Sequence, residues 1–396
     1  MNIVILANYT MDFSKADNGR FSYLANLLSH ENEVEVITSD FYHITKSQRE
    51  YKPNGLPYKV TFLHEPGYPR NICLKRFWSH KIWAINVKQY LNSRSKPDVI
   101  YSAVPSLDAP YWAAKFCKKN HIRFVVDVQD LWPEAFKMVI NIPFLSDIIF
   151  IPFKIKVDRI YKCADAVCAV SNTYVDRVLK VNKTCKRGAT VFLGTDLAVF
   201  DKYATETPVL EKKSNEIWLA YCGTLGSSYD LICVIDALAI LGDKRIHFIV
   251  MGDGPMMDEF KRYSEDKKVK TEFVGRLKYN QMCSLLAQCD ITVNPIVHNA
   301  AQSIINKHAD YLASGLPIVS TQENKEFRKL VDDYKMGFNC RNNDASDLAE
   351  KIKLLVDDEK LRKQMGKNAR KCAEERFDRI STYKELLDSI YNRSQL

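Results

Sequence analysis

The stretch Ser303-Ile-Ile-Asn-Lys307-His-Ala-Asp310-Tyr-Leu-Ala-Ser-Gly315-Leu-Pro-Ile holds the densest chemistry in this 396-residue sequence. Its pattern predicts a helix from Ile304 that stops at Gly315, ahead of a strand from Pro317. Lys307 falls in the first turn, where the helix dipole disfavours a cation. An anion docked on that helix end explains a lysine there. Asp310 lies one turn on, on the same face. A carboxylate one turn below a phosphate site can accept hydrogen bonds from ribose hydroxyls. The plainer alternative is a surface ion pair between Lys307 and Asp310. Two glycine turns support the phosphate reading: Gly223-Thr224-Leu-Gly226-Ser-Ser and Gly252-Asp-Gly-Pro255 each follow an apolar run and precede a helical one. Neither is a Walker loop or a Gly-x-Gly-x-x-Gly turn, which argues against an NTPase and a dinucleotide dehydrogenase.

The first half offers three further features. Asn18-Gly19-Arg20 opens a helix after the first strand, where a glycine lets backbone approach a phosphate; a plain helix-entry turn reads equally well. Asp127-Val-Gln-Asp130-Leu-Trp-Pro-Glu134 closes a very apolar strand, so its carboxylates belong at the mouth of a cleft, or to an Asx-type turn anchored by Trp132. Between Glu65 and Asp98 there is no carboxylate, only Arg70, Lys75, Arg76, Lys81, Lys88, Arg94 and Lys96, with Phe77, Trp78, Trp83 and Tyr90 among them. Such a segment suits anionic lipid headgroups. A solvated basic face over a core face is the alternative, and no nucleic-acid motif accompanies it.

The elements that must position these residues follow from the alternation of apolar runs with amphipathic ones. Strands are predicted at 3–7, 34–38, 60–63, 99–102, 124–128, 166–171 and 189–193, and again at 217–222, 247–251, 271–274, 291–294 and 317–320. Helices lie between them, including 76–93 and 148–163, and the chain turns helical and charged after Asp344. Thr, Glu, Pro, Lys and Ser dominate 204–215, which reads as a linker. The fold class is α/β, two doubly wound, Rossmann-like domains facing across a cleft: 1–203, 216–375 binding a nucleotide, and a terminal helix, 376–396, packing back on the first. A net charge of +9 and 46% hydrophobic residues fit a folded globular chain. The 11 cysteines are scattered without Cys-x-x-Cys, which suits a reducing cytoplasm and argues against a zinc-type metal site. Met1-Asn2 does not resemble a leader. The most apolar stretch, 138–155, is broken by Asn141, Pro143, Ser146, Asp147 and Pro152, so no membrane span is expected.

In this order and spacing the motifs resemble the retaining glycosyltransferases of family four, which have the GT-B fold. The likeness covers almost the whole length. It runs through the Gly19 loop, His30-Glu-Asn-Glu-Val-Glu-Val-Ile-Thr38, Val126-Asp-Val-Gln-Asp-Leu-Trp-Pro133, Ala164-Asp-Ala-Val-Cys-Ala-Val-Ser171 and Gly194-Thr-Asp196. It continues in Gly223 to Gly226, Met251-Gly-Asp-Gly-Pro255 and Lys307 to Gly315. The resemblance implies a nucleotide-sugar donor, with a UDP-sugar favoured, held by Gly19, Thr224, Gly226, Gly252, Arg276, Ser303, Lys307 and Asp310. Lys307 would neutralise the diphosphate and Asp310 hold the ribose; Asp130 would orient groups or assist as base. Arg70, Lys75, Arg76, Trp78, Lys81 and Trp83 would face a lipid-linked saccharide acceptor or an anionic membrane.

The implied product is capsule, O-antigen or a similar polysaccharide, made by a cytoplasmic protein attached peripherally to the inner face of the plasma membrane. No Asp-x-Asp is present, so neither a metal nor another cofactor is expected. The sequence departs from the family at Gln129, where a His is frequent, and at Gln302, which replaces the first of two Glu eight positions apart. Thr224 and Ser228-Tyr-Asp230 stand where Arg and Lys are usual. A sugar-nucleotide epimerase of similar two-domain shape, or a nucleotide-binding interaction protein, is the alternative.

Overall fold

A computed structural model describes residues 1–13, 19–138, 145–298 and 304–391. The chain divides into two units, Met1–Phe192 with Tyr383–Leu396, and Leu193–Thr382.

In the first unit the elements run β1 (Asn2–Leu6), α1 (Arg20–Ser29), β2 (Glu33–Ser39), β3 (Phe41–Tyr42), β4 (Ser47–Gln48), β5 (Lys59–Leu63) and α2 (Leu74–Ser93). They continue with β6 (Val99–Val104), α3 (Asp108–Asn120), β7 (Arg123–Val128), α4 (Leu145–Lys162), β8 (Ala166–Ala169), α5 (Asn172–Leu179) and β9 (Ala189–Thr190). Seven strands form a parallel sheet in the order β5-β2-β1-β6-β7-β8-β9, while β3 and β4 make a small antiparallel hairpin. Strand order reverses beside β1, which pairs with both β2 and β6.

The second unit runs α6 (Leu197–Ala204), β10 (Ile217–Cys222), α7 (Leu231–Leu241), β11 (Ile246–Met251), α8 (Met257–Asp266), β12 (Thr271–Gly275) and α9 (Tyr279–Leu286). After these come β13 (Ile291–Asn294), α10 (Asn306–Ala313), β14 (Ile318–Ser320), α11 (Lys325–Tyr334), β15 (Gly337–Asn339), α12 (Ala345–Asp357) and α13 (Glu359–Arg376). Its six parallel strands are ordered β12-β11-β10-β13-β14-β15, so the reversal here falls between β10 and β13. The last helix, α14 (Arg379–Tyr391), carries Tyr383, Leu386 and Ile390 into the core of the first unit.

The central strands are buried along their whole length, as β6 and β10 are at every position. Helices covering both faces of a parallel sheet explain why these strands read as unbroken apolar runs instead of alternating ones. Two sequence expectations change. The first boundary falls at Phe192, ahead of residue 203, because α6 packs on α9 and α10 of the second unit. Asp196 caps α6 by accepting from the Val199 amide at 3.1 Å. The helix expected from Ile304 begins at Asn306, with Ile305 extended at its N-cap and His308 Nδ1 accepting from the Ile305 amide.

Candidate functional site

In an open parallel sheet, ligands dock beyond the carboxyl ends of strands where the order reverses. In the second unit that place is occupied by the turn after β10. Gly223 there has φ +143°, and Gly252, after β11, has φ +154°. A Cβ on Gly252 would lie 1.8 Å from the Gly223 carbonyl oxygen, so only glycine lets the two turns lie backbone against backbone. The Leu225 amide donates to the Asp253 carbonyl and the Met256 amide to the Leu225 carbonyl, locking the pair.

Lys307, in the first turn of α10, reaches this spot from behind. A Cβ on Gly223 would meet its Nζ at 2.9 Å. The ammonium is buried and has no hydrogen-bond partner among the described residues. It sits between two aromatic faces, 4.1 Å from the Tyr221 ring centre and 3.8 Å from that of Tyr229. Burial lowers its pKa from 10.5 to about 7, with a smaller opposing effect from the Cys222 thiol. Cation–π contacts soften the loss of water but supply no counter-charge.

Asp310 does not neutralise it. Its Oδ1 accepts from the Tyr279 hydroxyl at 2.9 Å, and that hydroxyl is 2.7 Å from Thr195 Oγ1. Burial raises the Asp310 carboxyl to about 6, opposed by Tyr279, Arg379 and Thr195. The surface ion pair between Lys307 and Asp310 is therefore corrected: the cation is buried and unpaired among the described residues, and the acid is tied to its own network. Thr224 and Arg276 are exposed at the carboxyl ends of β10 and β12, with Gly226 beside Thr224. Ser303 and Gln302 lie outside the described residues.

In the first unit, Gly19 is the N-cap of α1 and has no side-chain cap. Asp127 is bound by Arg20, whose Nε and Nη2 reach its two oxygens at 2.9 and 3.0 Å; both side chains are buried. Arg20 also donates to the carbonyls of Val191 and Phe192 and lies over the Tyr383 ring. Asp127 is thus a clamp inside the fold, not a carboxylate at an open mouth. Asp130 accepts from the Leu131 amide at 2.9 Å and from Trp132 Nε1 at 3.2 Å, and burial raises its carboxyl. Glu134 is engaged by Arg177 at 2.6 Å.

Of the residues expected to face lipid or acceptor, Arg70, Lys75, Trp78 and Lys81 are exposed, and Trp83 is not, at 1%. Arg76 turns inward onto Tyr9, Tyr68 and Trp132. Helical spacing holds the signal that finds both: Arg76, His80, Trp83 and Val87 recur at i, i+4, i+7 and i+11, one stripe of α2. The rings of Tyr221 and Tyr229 around Lys307 also escape the sequence reading. Two tyrosines flanking a glycine turn are their only trace.

Residues 203–372 match the family model of glycosyl transferases group 1, which covers most of the second unit. Among similar proteins, the probable glycosyltransferase WbjE of Pseudomonas aeruginosa is 24% identical over 33% of this chain and 34% of its own length. The chain thus spans about a third of that relative. The capsular polysaccharide biosynthesis glycosyltransferase CapM of Staphylococcus aureus is 23% identical over 76% of this chain and 77% of its own. A crystal structure of Anabaena HepE in complex with UDP superposes with a TM-score of 0.71, at 15% identity, over 99% of this chain and 100% of that one. The fold is that of the GT-B glycosyltransferases.

Proposed function

We propose that this chain transfers a sugar from a nucleoside-diphosphate sugar, a UDP-sugar first, to a saccharide acceptor carried on a lipid. The observation that carries the reading is the Lys307 ammonium, buried, unpaired among the described residues and set against the Gly223 turn. Holding a lone cation in a low-dielectric site is unfavourable until an anion arrives. A diphosphate is such an anion. Cleaving the sugar–phosphate bond builds charge on that leaving group, and a cation already in place compensates it without reorganising. The exposed backbone of the Gly223 and Gly252 turns can supply further donors to the same group. The family match over the second unit and the likeness to UDP-bound HepE support the same reading.

Retention of configuration would follow from front-side attack, with the leaving phosphate taking up the acceptor's proton. Asp130, whose raised carboxyl makes it a stronger base, is the group in the first unit proposed to orient the acceptor or assist. We take the chemistry to run without a metal ion, because the sequence has no Asp-x-Asp. Likeness to CapM favours a polysaccharide product.

Peripheral attachment to the cytoplasmic face of a membrane is supported by exposed side chains on α2 and α4. Leu74 and Trp78 on α2, and Ile148, Ile149, Ile151 and Ile155 on α4, are all exposed. Phe77 and Phe153 bring the two helices together at 5.4 Å. Lys75, Lys81 and Lys154 are exposed on the same two helices. No helix among the described residues is long and apolar enough to cross a membrane.

The test is a thermal-shift panel of UDP, GDP, ADP and their sugars on wild type and Lys307→Met. Ligand at about 100 times its dissociation constant adds ~2.7 kcal/mol of stability. We expect UDP and its sugars to raise the wild-type midpoint and leave the variant unmoved. Equal shifts in both proteins would remove Lys307 from the donor site.

A further inference from the structure

The first sheet also reverses its strand order, beside β1, and a second group of cations that form no ion pair among the described residues gathers at the carboxyl ends there. Arg76 of α2 lies over the ring of Trp132 at 4.7 Å, with Tyr68 at 5.4 Å and Tyr9 at 5.7 Å. Its Nη2 donates to the Tyr9 hydroxyl at 2.8 Å and its Nη1 to the Asn71 carbonyl at 2.7 Å, while its Nε is buried with no partner among the described residues. Lys46, in the β3–β4 turn, lies over Tyr68 and donates to the His43 carbonyl. Burial, with Arg76 adding to it, lowers the lysine from 10.5 to about 8.

Neither cation forms an ion pair among the described residues. Asp130, whose carboxyl burial raises and Arg76 draws down electrostatically, is held by the Leu131 amide and Trp132 Nε1. Glu65 lies in the same cluster and is already engaged. It accepts from Asn8 Nδ2 and Ser79 Oγ, both at 2.9 Å, and lies 3.8 Å from His80 Nε2. Burial raises its carboxyl, which weakens it further as a counter-charge. Tyr9 is also used: its hydroxyl accepts from Arg76 and is 2.9 Å from His80 Nε2, on a ring that burial keeps neutral. Arg20 in the same unit shows what a structural buried arginine requires here, two carboxylate bonds and two carbonyls. Arg76 has one hydroxyl and one carbonyl.

We propose that Arg76 and Lys46 bind an oxyanion of the acceptor, a phosphate ester or a sugar carboxylate, so that the acceptor this enzyme takes is itself anionic. Planar guanidinium recognises either group by paired N–H donors, and the ammonium adds a point charge. The inference rests on the glycosyltransferase reading, and the experiment separates the two.

Lys307→Met serves as the background, since it removes the cation of the donor site. Calorimetry on that protein measures binding of inorganic pyrophosphate and of glucuronate, before and after adding Arg76→Gln or Lys46→Met. UDP thermal shifts of Arg76→Gln and Lys46→Met in the otherwise wild-type chain report whether each variant is folded. We expect at least one anion to bind the background protein and to bind each added variant about ten- to hundredfold more weakly. Both variants should keep the wild-type response to UDP. Pyrophosphate alone binding would identify a phosphate acceptor, and glucuronate alone an acidic sugar. Where Arg76→Gln fails to fold, Lys46→Met carries the comparison. No binding of either anion, or binding that neither variant weakens, overturns the proposal even where UDP still binds. A wild-type protein that ignores UDP overturns the donor reading instead.

Discussion

Replacing Lys307 by methionine should make the protein more stable while removing its donor binding. Methionine has nearly the same length and keeps the contacts with Tyr221 and Tyr229. A pKa held at about 7 instead of 10.5 means that charging this ammonium in the fold costs roughly 5 kcal/mol more than charging it in water. Relaxation and water entry reduce what is measured, so the gain for Lys307→Met at pH 7 should be about 2–4 kcal/mol. That corresponds to a rise in the midpoint on the order of 5–10 °C. The sign of the pH dependence is fixed. Between pH 7 and 10.5 the unfolded chain holds the lysine proton and the folded chain does not, so wild-type stability rises with pH across this window. The cost is full at pH 7 and below and vanishes above 10.5. The advantage of the variant must therefore shrink as pH rises through the window and be gone above it. Urea unfolding of both proteins at several pH values between 6 and 10, with UDP affinity measured alongside, provides the assay. A variant no more stable than wild type at pH 7, or a difference that does not change with pH, would refute the claim of an unneutralised buried cation.

UDP binding should take up a proton above pH 7, because the diphosphate raises the Lys307 pKa. Calorimetry in buffers of different ionisation enthalpy checks this, and buffer-independent heats at pH 8 would count against it. Asp310→Asn should raise the donor KM more than it lowers kcat. It should also stabilise the protein above pH 6 and not below pH 4, since a raised carboxyl loses stability as pH climbs through about 6; a purely kcat effect would contradict a ribose contact. Asp127→Asn leaves Arg20 buried without its counter-charge and should cost about 3–5 kcal/mol in urea unfolding. A loss under 1 kcal/mol would show that water reaches the pair. Reversing Lys75, Lys81 and Lys154 to Glu should release the protein from anionic liposomes, each basic residue contributing about 1 kcal/mol, and retention equal to wild type at low and high salt would mean that this face is only solvated.

Much of the fold was legible because a strand buried on both faces leaves an unbroken β-branched run, as in Val99–Val104 or Ile217–Cys222. The short strands Phe41–Tyr42 and Gly337–Asn339 carry no period and went unread. Lys307 was legible from a local rule, a cation at the wrong end of a helix dipole. Its surroundings were not, since Tyr221 and Tyr229 come from another segment and meet it only through packing. The Arg20–Asp127 clamp joins residues 107 positions apart, beyond any periodic signal. On α2 the basic composition outweighed the helical stripe. Trp78 and Trp83, five positions apart, stand about 140° apart around a helix. One is exposed and the other buried.

Three buried or half-buried cations in this chain look alike in a sequence and differ in what surrounds them. Arg20 has a carboxylate and two carbonyls, and its burial is compensated inside the fold. Lys307 has two ring faces and no acid; Arg76 has three ring faces, one hydroxyl and one carbonyl. Aromatic faces stabilise a cation by about 0.5–2 kcal/mol each, less than the several kcal/mol lost on leaving water. The remainder is a standing cost to the free protein, and an anion that docks recovers it as affinity. The same arithmetic makes the two sites separable. If the Lys307 cation waits for a diphosphate and Arg76 for an acceptor oxyanion, replacing Lys307 by a neutral isostere must raise stability and lower diphosphate affinity only, and replacing Arg76 must lower oxyanion affinity only. A variant of either residue that lost both ligands, or a Lys307 variant that lost stability together with affinity, would mean that the cation holds the fold instead of waiting for an anion.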